Sequence, residues 1–300
     1  MAYIIEHANI LKESNVEQAS ILINEDRIEL IRPSFERYSY MRFNASSFIM
    51  TAPHIIFDPN LPFEQSFQRM RQYYMDAFLK KGSTLFLCYA SIEKEYLFRN
   101  ALIEIKKRLL NSPIDFIVGV KIPVKLLTPS FMRRCKKEKT PAIFVEITDI
   151  KELYEIQWGW VREAMFPYNS PLIPIFKQDK PRLKKQAQTK WLELLTNEKI
   201  PFIENEMEAS APISSINLMK MGILPLKSAL QQGSEVSYNL YLLDDEDNKI
   251  EESALFHYHN HRLAVTVHKG TVIRAGEKVL FRPGFGEQVM IQTPSFFTSR

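Results

Sequence analysis

At 300 residues and 45% hydrophobic, the chain can bury one large core or two smaller ones. Its charges nearly balance, 39 Lys and Arg against 35 Asp and Glu, and the net of +4 makes no case for a nucleic-acid surface. Glycine is scarce at 9 and proline common at 17, which argues against glycine-rich phosphate loops.

The first residues, from Met1 to His7, have no basic n-region and no apolar h-region, so no signal peptide is expected. No run approaches the roughly 20 apolar residues of a membrane span. Cys88 and Cys135 allow at most one disulfide, which fits a reducing compartment, and the expected location is the cytoplasm.

Residues 3–50 read as β-structure. Short apolar runs at 3–5, 7–11 and 20–23 precede a polar turn at 24–26, and 27–32 alternates polar and apolar until Pro33. An apolar run ends at Pro53 and a second, from His54, is closed by Asp58. This reads as a strand leaving one β-layer and becoming the first strand of a larger α/β layer. The end of such a strand is where a parallel α/β barrel carries chemistry.

From Glu64 the period changes. Phe67, Met70, Tyr74 and Phe78 recur at helical spacing, and Lys80-Lys81-Gly82 supplies the cations and glycine of a helix end. Residues 83–89 read as a buried strand, and 93–110 as a helix with Leu97, Ala101, Ile105 and Leu109 on one face. A strand at 116–120, a helix at 128–139 with Thr128 as N-cap and Pro129 at its first position, and a strand at 142–147 follow. Such repetition is the signature of a parallel sheet with crossovers. After Asp149 the pattern fades into an aromatic helix at 154–166, a proline-studded stretch at 166–174 expected to be irregular, and helices at 181–196 and 214–221. Strand signals return from Leu226: 237–242 alternates, 244–248 is an acidic turn, and 268–281 reads as a hairpin turning at Lys269-Gly270 and Ala275-Gly276.

In this order the residues resemble the amidohydrolase superfamily, closest to its dihydropyrimidinase, dihydroorotase and allantoinase branch. Residues 8–11, 20–23 and 27–31 are similar to the family's opening strands. Pro53, then Asp58-Pro59-Asn60-Leu61-Pro62, stands where the family has a Pro-Gly turn and Asp-x-His-x-His. Lys81-Gly82-Ser83-Thr84 resembles the Gly-x-Thr that opens the second barrel strand, and 221–227 and 232–238 resemble the runs that re-enter the β-domain. The resemblance implies an α/β fold: an incomplete (β/α) barrel-like layer, residues 53–225, inserted in a small composite β-domain built from 1–52 and 226–300.

The departures matter more for function. The family makes hydroxide on one or two divalent metals held by His-x-His, later histidines, often a carboxylated lysine and a late aspartate. Here the His-x-His positions are Asn60 and Pro62, the strand 142–147 has no lysine, and no histidine lies between His54 and His257. An amide is a poor zinc ligand and proline is none. The insert is also too short for eight strand–helix units.

Other candidates stand beside bland readings. His257, His259 and His261 would share a face on a strand and so converge on one metal, against the alternative of an exposed polar segment. Asp58 and Glu146 are the catalytic candidates; Asp115, Lys121 and Glu146 near strand ends would form a metal-free acid/base site, or merely end strands in polar residues. The basic sets at 133–139 and 177–190 lie on amphipathic helices and read as solvated faces. Trp158, Trp160, Phe166 and Tyr168 read as a cap on the sheet or an interface. The expectation is a non-catalytic relative that binds a small molecule or a protein, with a homo-oligomer open, no nucleic acid, no membrane and no cofactor. Zinc or another divalent metal belongs only to the alternative, an active hydrolase of cyclic amides or related C–N bonds with a relocated or metal-free site.

Overall fold

The computed structural model of the chain describes residues 2–12, 14–244 and 251–294, so the acidic turn expected at 244–248 lies outside the described residues beyond Asp244. In chain order, β1 (Ala2–Lys12), β2 (Asn15–Asn24), β3 (Arg27–Arg32), β4 (Met41–Asn44) and β5 (Phe48–Thr51) lead to β6 (His54–Phe57). Helix and strand then alternate: α1 (Phe67–Ala77), β7 (Ser83–Ser91), α2 (Phe98–Arg108), β8 (Asp115–Pro123), α3 (Pro129–Lys137), β9 (Ile143–Ile147), α4 (Trp158–Met165), β10 (Leu172–Phe176) and α5 (Pro181–Asn197). There follow β11 (Ala211–Pro212), α6 (Ser215–Lys220), β12 (Tyr238–Leu242), α7 (Glu252–His257), β13 (Leu263–His268), β14 (Thr271–Ala275) and β15 (Lys278–Val279).

Two compact units divide this chain. The first takes Met1–Ile56, Pro62–Leu85 and Pro225–Phe285; the second takes Phe57–Leu61, Phe86–Leu224 and Gly286–Arg300.

The first unit carries a nine-stranded sheet in the order β15-β14-β13-β12-β5-β1-β2-β3, with β4 beside β1. Its centre is where β12 runs antiparallel to β5, Leu240 opposite Met50. Ile5, Ile21 and Ile23 from the apolar runs, Met50 and, from the alternating stretch at 237–242, Leu240 share one core, all at 2% exposure or less, each side chain worth roughly 2–3 kcal/mol of burial. Helix α1 starts at Ser66, whose hydroxyl accepts from Arg69 N–H, and buries Tyr74. Phe67, expected on the buried face, is more than half exposed. The turn after α1 closes on Gly82 at φ 70°, and Asn239 on β12 donates its side-chain amide to the Gly82 carbonyl at 2.9 Å. A Cβ at Gly82 would come within 2.7–2.9 Å of Asn239.

The second sheet has six strands in the open order β10-β9-β8-β7-β6-β11. Strands β8, β9 and β10 run parallel, with Lys121 beside Phe144 and Glu146 beside Ile175. Their long apolar runs follow from burial on both faces, as in any covered parallel sheet. Helix α3 has the expected cap: Thr128 Oγ1 accepts from Phe131 N–H at 3.2 Å, with Pro129 at the first helical position. Helix α5 buries Ala187, Trp191 and Leu195, and the Trp191 indole donates to the Ile203 carbonyl at 3.0 Å.

Three sequence expectations need correction. The stretch 166–174 is not wholly irregular, because Leu172–Phe176 forms β10 with Pro174 beside Val145. The proline is tolerated because its nitrogen, two residues on from Leu172, faces the outer side of β10, where Leu172 bridges to Phe202, and not the β9 ladder. Helix α2 turns Phe98, Leu102 and Ile105 inward rather than Leu97 and Ala101. Ile105 and Leu109 are buried as expected; the first two members shift by one residue because the face follows a 3.6-residue period and not a strict spacing of four. The aromatic segment splits into a 3-10 turn at Ile150–Tyr154 and α4. No helix among the described residues is long and apolar enough to cross a membrane.

Candidate functional site

The second unit gathers its polar side chains at the carboxyl ends of adjacent strands. Asp58, directly after β6, is fully buried. Its backbone N–H donates to Leu87 O at 2.8 Å, and its Oδ1 accepts from Asn60 N–H at 2.9 Å. That is an Asx-type turn, the carboxylate holding the backbone two residues on. On the neighbouring strand, burial pushes the Cys88 thiol well above its ordinary range, and the Asp58 charge adds to the rise. Cys88 and Cys135 are both buried and free.

Beside Asp58, Phe57 stacks on Phe144 with ring centroids 4.9 Å apart, and Tyr89 on β7 closes on Phe144 at 5.0 Å. Register puts Lys121, Phe144 and Glu146 on one face of the sheet. Above the aromatic layer, Lys121 Nζ lies 3.2 Å from Glu146 Oε2 and Lys177 Nζ 4.0 Å from the same oxygen. Lys121 Nζ also stands 5.7 Å from the Tyr89 ring centroid. Burial raises the Tyr89 hydroxyl above its ordinary pKa, Lys121 pulls against this, and Glu146 adds to it. Two of the three strand-end residues singled out by sequence, Lys121 and Glu146, are thus brought together. Asp115 is not at that end: it opens β8, and its Oδ1 accepts from Glu287 N–H at 2.9 Å. Sequence alone does not reveal Lys177 as a partner of Glu146 or Tyr89 as a neighbour of Lys121, since both meetings depend on which strands lie side by side.

The three clustered histidines do not lie on a strand. His257 ends α7, His259 follows it, and His261 sits in a 3-10 turn at Asn260–Arg262. The alternation that would have put three imidazoles on one face is therefore absent. The rings of His259 and His261 are 6.1 Å apart, while His257 packs edge-on to Phe256. Within the first unit, a different group forms around Glu235. Ser237 Oγ donates to Glu235 Oε1 at 2.7 Å and lies 3.5 Å from His268 Nδ1, and Lys227 pairs with the other Glu235 oxygen. A serine–histidine–acid relay needs serine and acid on opposite ring nitrogens. Here both face Nδ1, 3.5 and 3.8 Å away, so the arrangement does not activate Ser237.

The basic helices spend charge on local partners: Arg134 on Glu95 at 2.9 Å, Lys190 on Glu193 at 3.0 Å, and Lys184 on Glu206. The aromatic segment divides by direction. Trp158 and Tyr168 are buried, donating to Leu153 O and Ile291 O at 2.9 Å each, while Trp160 and Phe166 are exposed.

The divalent metal that the resemblance implies does not suit this strand-end donor set. Asn60 and Pro62 follow Asp58, and no histidine occurs from 55 to 256. Asp58 Oδ1 is engaged by a backbone N–H, and Glu146 faces two ammonium groups that would repel a dication.

No family profile and no curated protein matches the sequence. Solved structures do match. A D-hydantoinase from Bacillus sp. AR9 aligns at TM-score 0.67 and 9% identity, over 97% of this chain and 99% of that one. A dihydropyrimidinase from Brevibacillus agri aligns at 0.59 and 11%, over 98% and 99%. An L-hydantoinase from Arthrobacter aurescens aligns at 0.63 and 10%, over 96% and 99%. The likeness is one of fold.

Proposed function

We propose that this chain, which has the fold of the amidohydrolases, carries out no metal-dependent hydrolysis at its strand-end site and acts instead by binding a small molecule there. The observation that carries the reading is Glu146, one of whose carboxylate oxygens serves the ammonium groups of both Lys121 and Lys177 at the carboxyl ends of β8, β9 and β10. Those ends are where a parallel α/β sheet receives ligands. A metal would supply hydroxide for amide hydrolysis at neutral pH, and Asn60, Pro62 and a histidine-free stretch from 55 to 256 supply poor ligands for one. Strands from both chain ends share the nine-stranded sheet, which supports treating them as one supporting domain.

Elemental analysis of protein purified without chelator, paired with assays on hydantoin and dihydrouracil, tests this. The expected result is metal far below one per chain and no turnover. One tightly held metal per chain, with turnover lost in Asp58→Ala, overturns it. Turnover without metal that disappears in Glu146→Gln would favour a metal-free hydrolase with Glu146 as its acid/base.

A further inference from the structure

The charges at this edge specify what kind of molecule it receives, an inference that rests on the binding reading above. Lys121, Glu146 and Lys177 carry two positive charges and one negative, so the group keeps one net positive charge. Their side chains are 26%, 27% and 50% exposed, which leaves them open to an incoming group. Pairs this exposed add little to stability and hold long side chains in one geometry at an entropic cost. A lone Lys121–Glu146 pair would have sufficed to end the strands. The third member, Lys177, is the longer of the two contacts at 4.0 Å and the most exposed.

The shape of the surroundings adds a second constraint. Tyr89 is partly exposed at the end of β7, its ring beneath the Lys121 ammonium. It offers an apolar face to the body of a ligand whose charged end reaches the lysines. Phe57 and Phe144, at 4% and 1% exposure, form a closed layer beneath and take no part in contact.

We propose that this edge binds a small monocarboxylate. Its carboxylate is held by the Lys121 and Lys177 ammonium groups, its apolar body lies against Tyr89, and Glu146 is the internal anion that it partly displaces. One surplus positive charge matches a monoanion. A phosphate dianion would leave the site negative, with no guanidinium fork among Lys121, Glu146, Lys177 and Tyr89 to grip it.

Equilibrium dialysis with radiolabelled benzoate on the full chain tests this, with inorganic phosphate and neutral hydantoin as comparison probes. Saturable benzoate binding is expected, weakened about tenfold or more in Lys121→Ala and in Lys177→Ala. Glu146→Gln, which removes the competing anion, is expected to tighten binding several-fold, a gain that a merely damaged fold does not produce. Equal competition by phosphate, or benzoate binding indifferent to both lysine variants, overturns the proposal. Hydantoin binding that is sensitive to Lys121→Ala, without benzoate binding, overturns the carboxylate assignment and leaves the small-molecule site standing. Binding of none of the three probes counts against both.

Discussion

His54 follows Pro53 at the start of β6 and is buried, its Nε2 2.9 Å from the Tyr241 hydroxyl and its ring edge-on to Phe256 at 5.1 Å. Burial, with repulsion from His257 second, lowers its pKa to about 4. The unfolded chain therefore takes up a proton near pH 6.5 that the folded chain refuses until about pH 4. Stability from this residue is complete above 6.5 and falls as the pH drops through that window. The loss is about 2 kcal/mol by pH 5 and roughly 3 kcal/mol near pH 4. Urea unfolding at pH 7 and pH 5 measures it: His54→Gln is expected to lose about 2 kcal/mol less than the wild type over that interval, and equal losses would show that His54 titrates normally. Gly82 is the second single residue with a large expected effect. At φ 70°, with Asn239 within 2.9 Å of any Cβ, Gly82→Ala combines left-handed strain with overpacking, a cost of about 2–4 kcal/mol. Adding Asn239→Ala should recover the clash but not the backbone strain, so a double variant less stable than Gly82→Ala by the full cost of Asn239→Ala would remove the packing part of the argument.

At the scale of elements, β5, β12 and β13 share an unusual row. Thr51 pairs with Asn239, and Asn239 with Thr266. All three are fully buried, and Thr51 Oγ1, Asn239 Oδ1 and Thr266 Oγ1 have no hydrogen-bond partner among the described residues. A buried hydroxyl without a partner loses its hydration for nothing in return. Thr51→Val and Thr266→Val are therefore expected to raise stability by roughly 1 kcal/mol each in urea titrations, and a loss of that size would mean the hydroxyls are satisfied. The elements themselves were largely legible. Alternation from 27 to 32 marks β3, Thr128-Pro129 marks the start of α3, and Lys81-Gly82 marks the turn before β7, because each of these signals is local. Where they failed, the deciding term was not local. Pro174 is tolerated in a strand because its nitrogen shares the outer side of β10 with that of Leu172, away from the β9 ladder. The segment holding His257, His259 and His261 is set by the packing of Leu255 and Phe256, both buried, which make it helical rather than extended. The meeting of Glu146 with Lys177 depends on register between two strands whose residues are thirty-one apart in the chain.

For the whole molecule, the fold is similar to that of hydantoinases and a dihydropyrimidinase at about 10% identity, while the strand ends carry Asp58, Lys121 and Glu146. A fold is set by buried apolar pattern and a site by a few side chains, so likeness in the first does not carry the second. The aromatic segment around α4, which packs against α3, divides its rings between inside and outside. Trp158 and Tyr168 point inward and are anchored by hydrogen bonds to Leu153 O and Ile291 O. What remains outside is Trp160 at 59% and Phe166 at 67% exposure. Two aromatic rings so exposed offer roughly 250 Å², well short of the roughly 800 Å² per partner that a stable interface buries. This segment is therefore not expected to drive self-association. Light scattering should return one mass for the wild type and for Trp160→Ala at the same concentration. A wild type that is dimeric, and a Trp160→Ala variant reduced to the 35.1 kDa of a single chain, would show instead that these two rings sit at the centre of a larger interface.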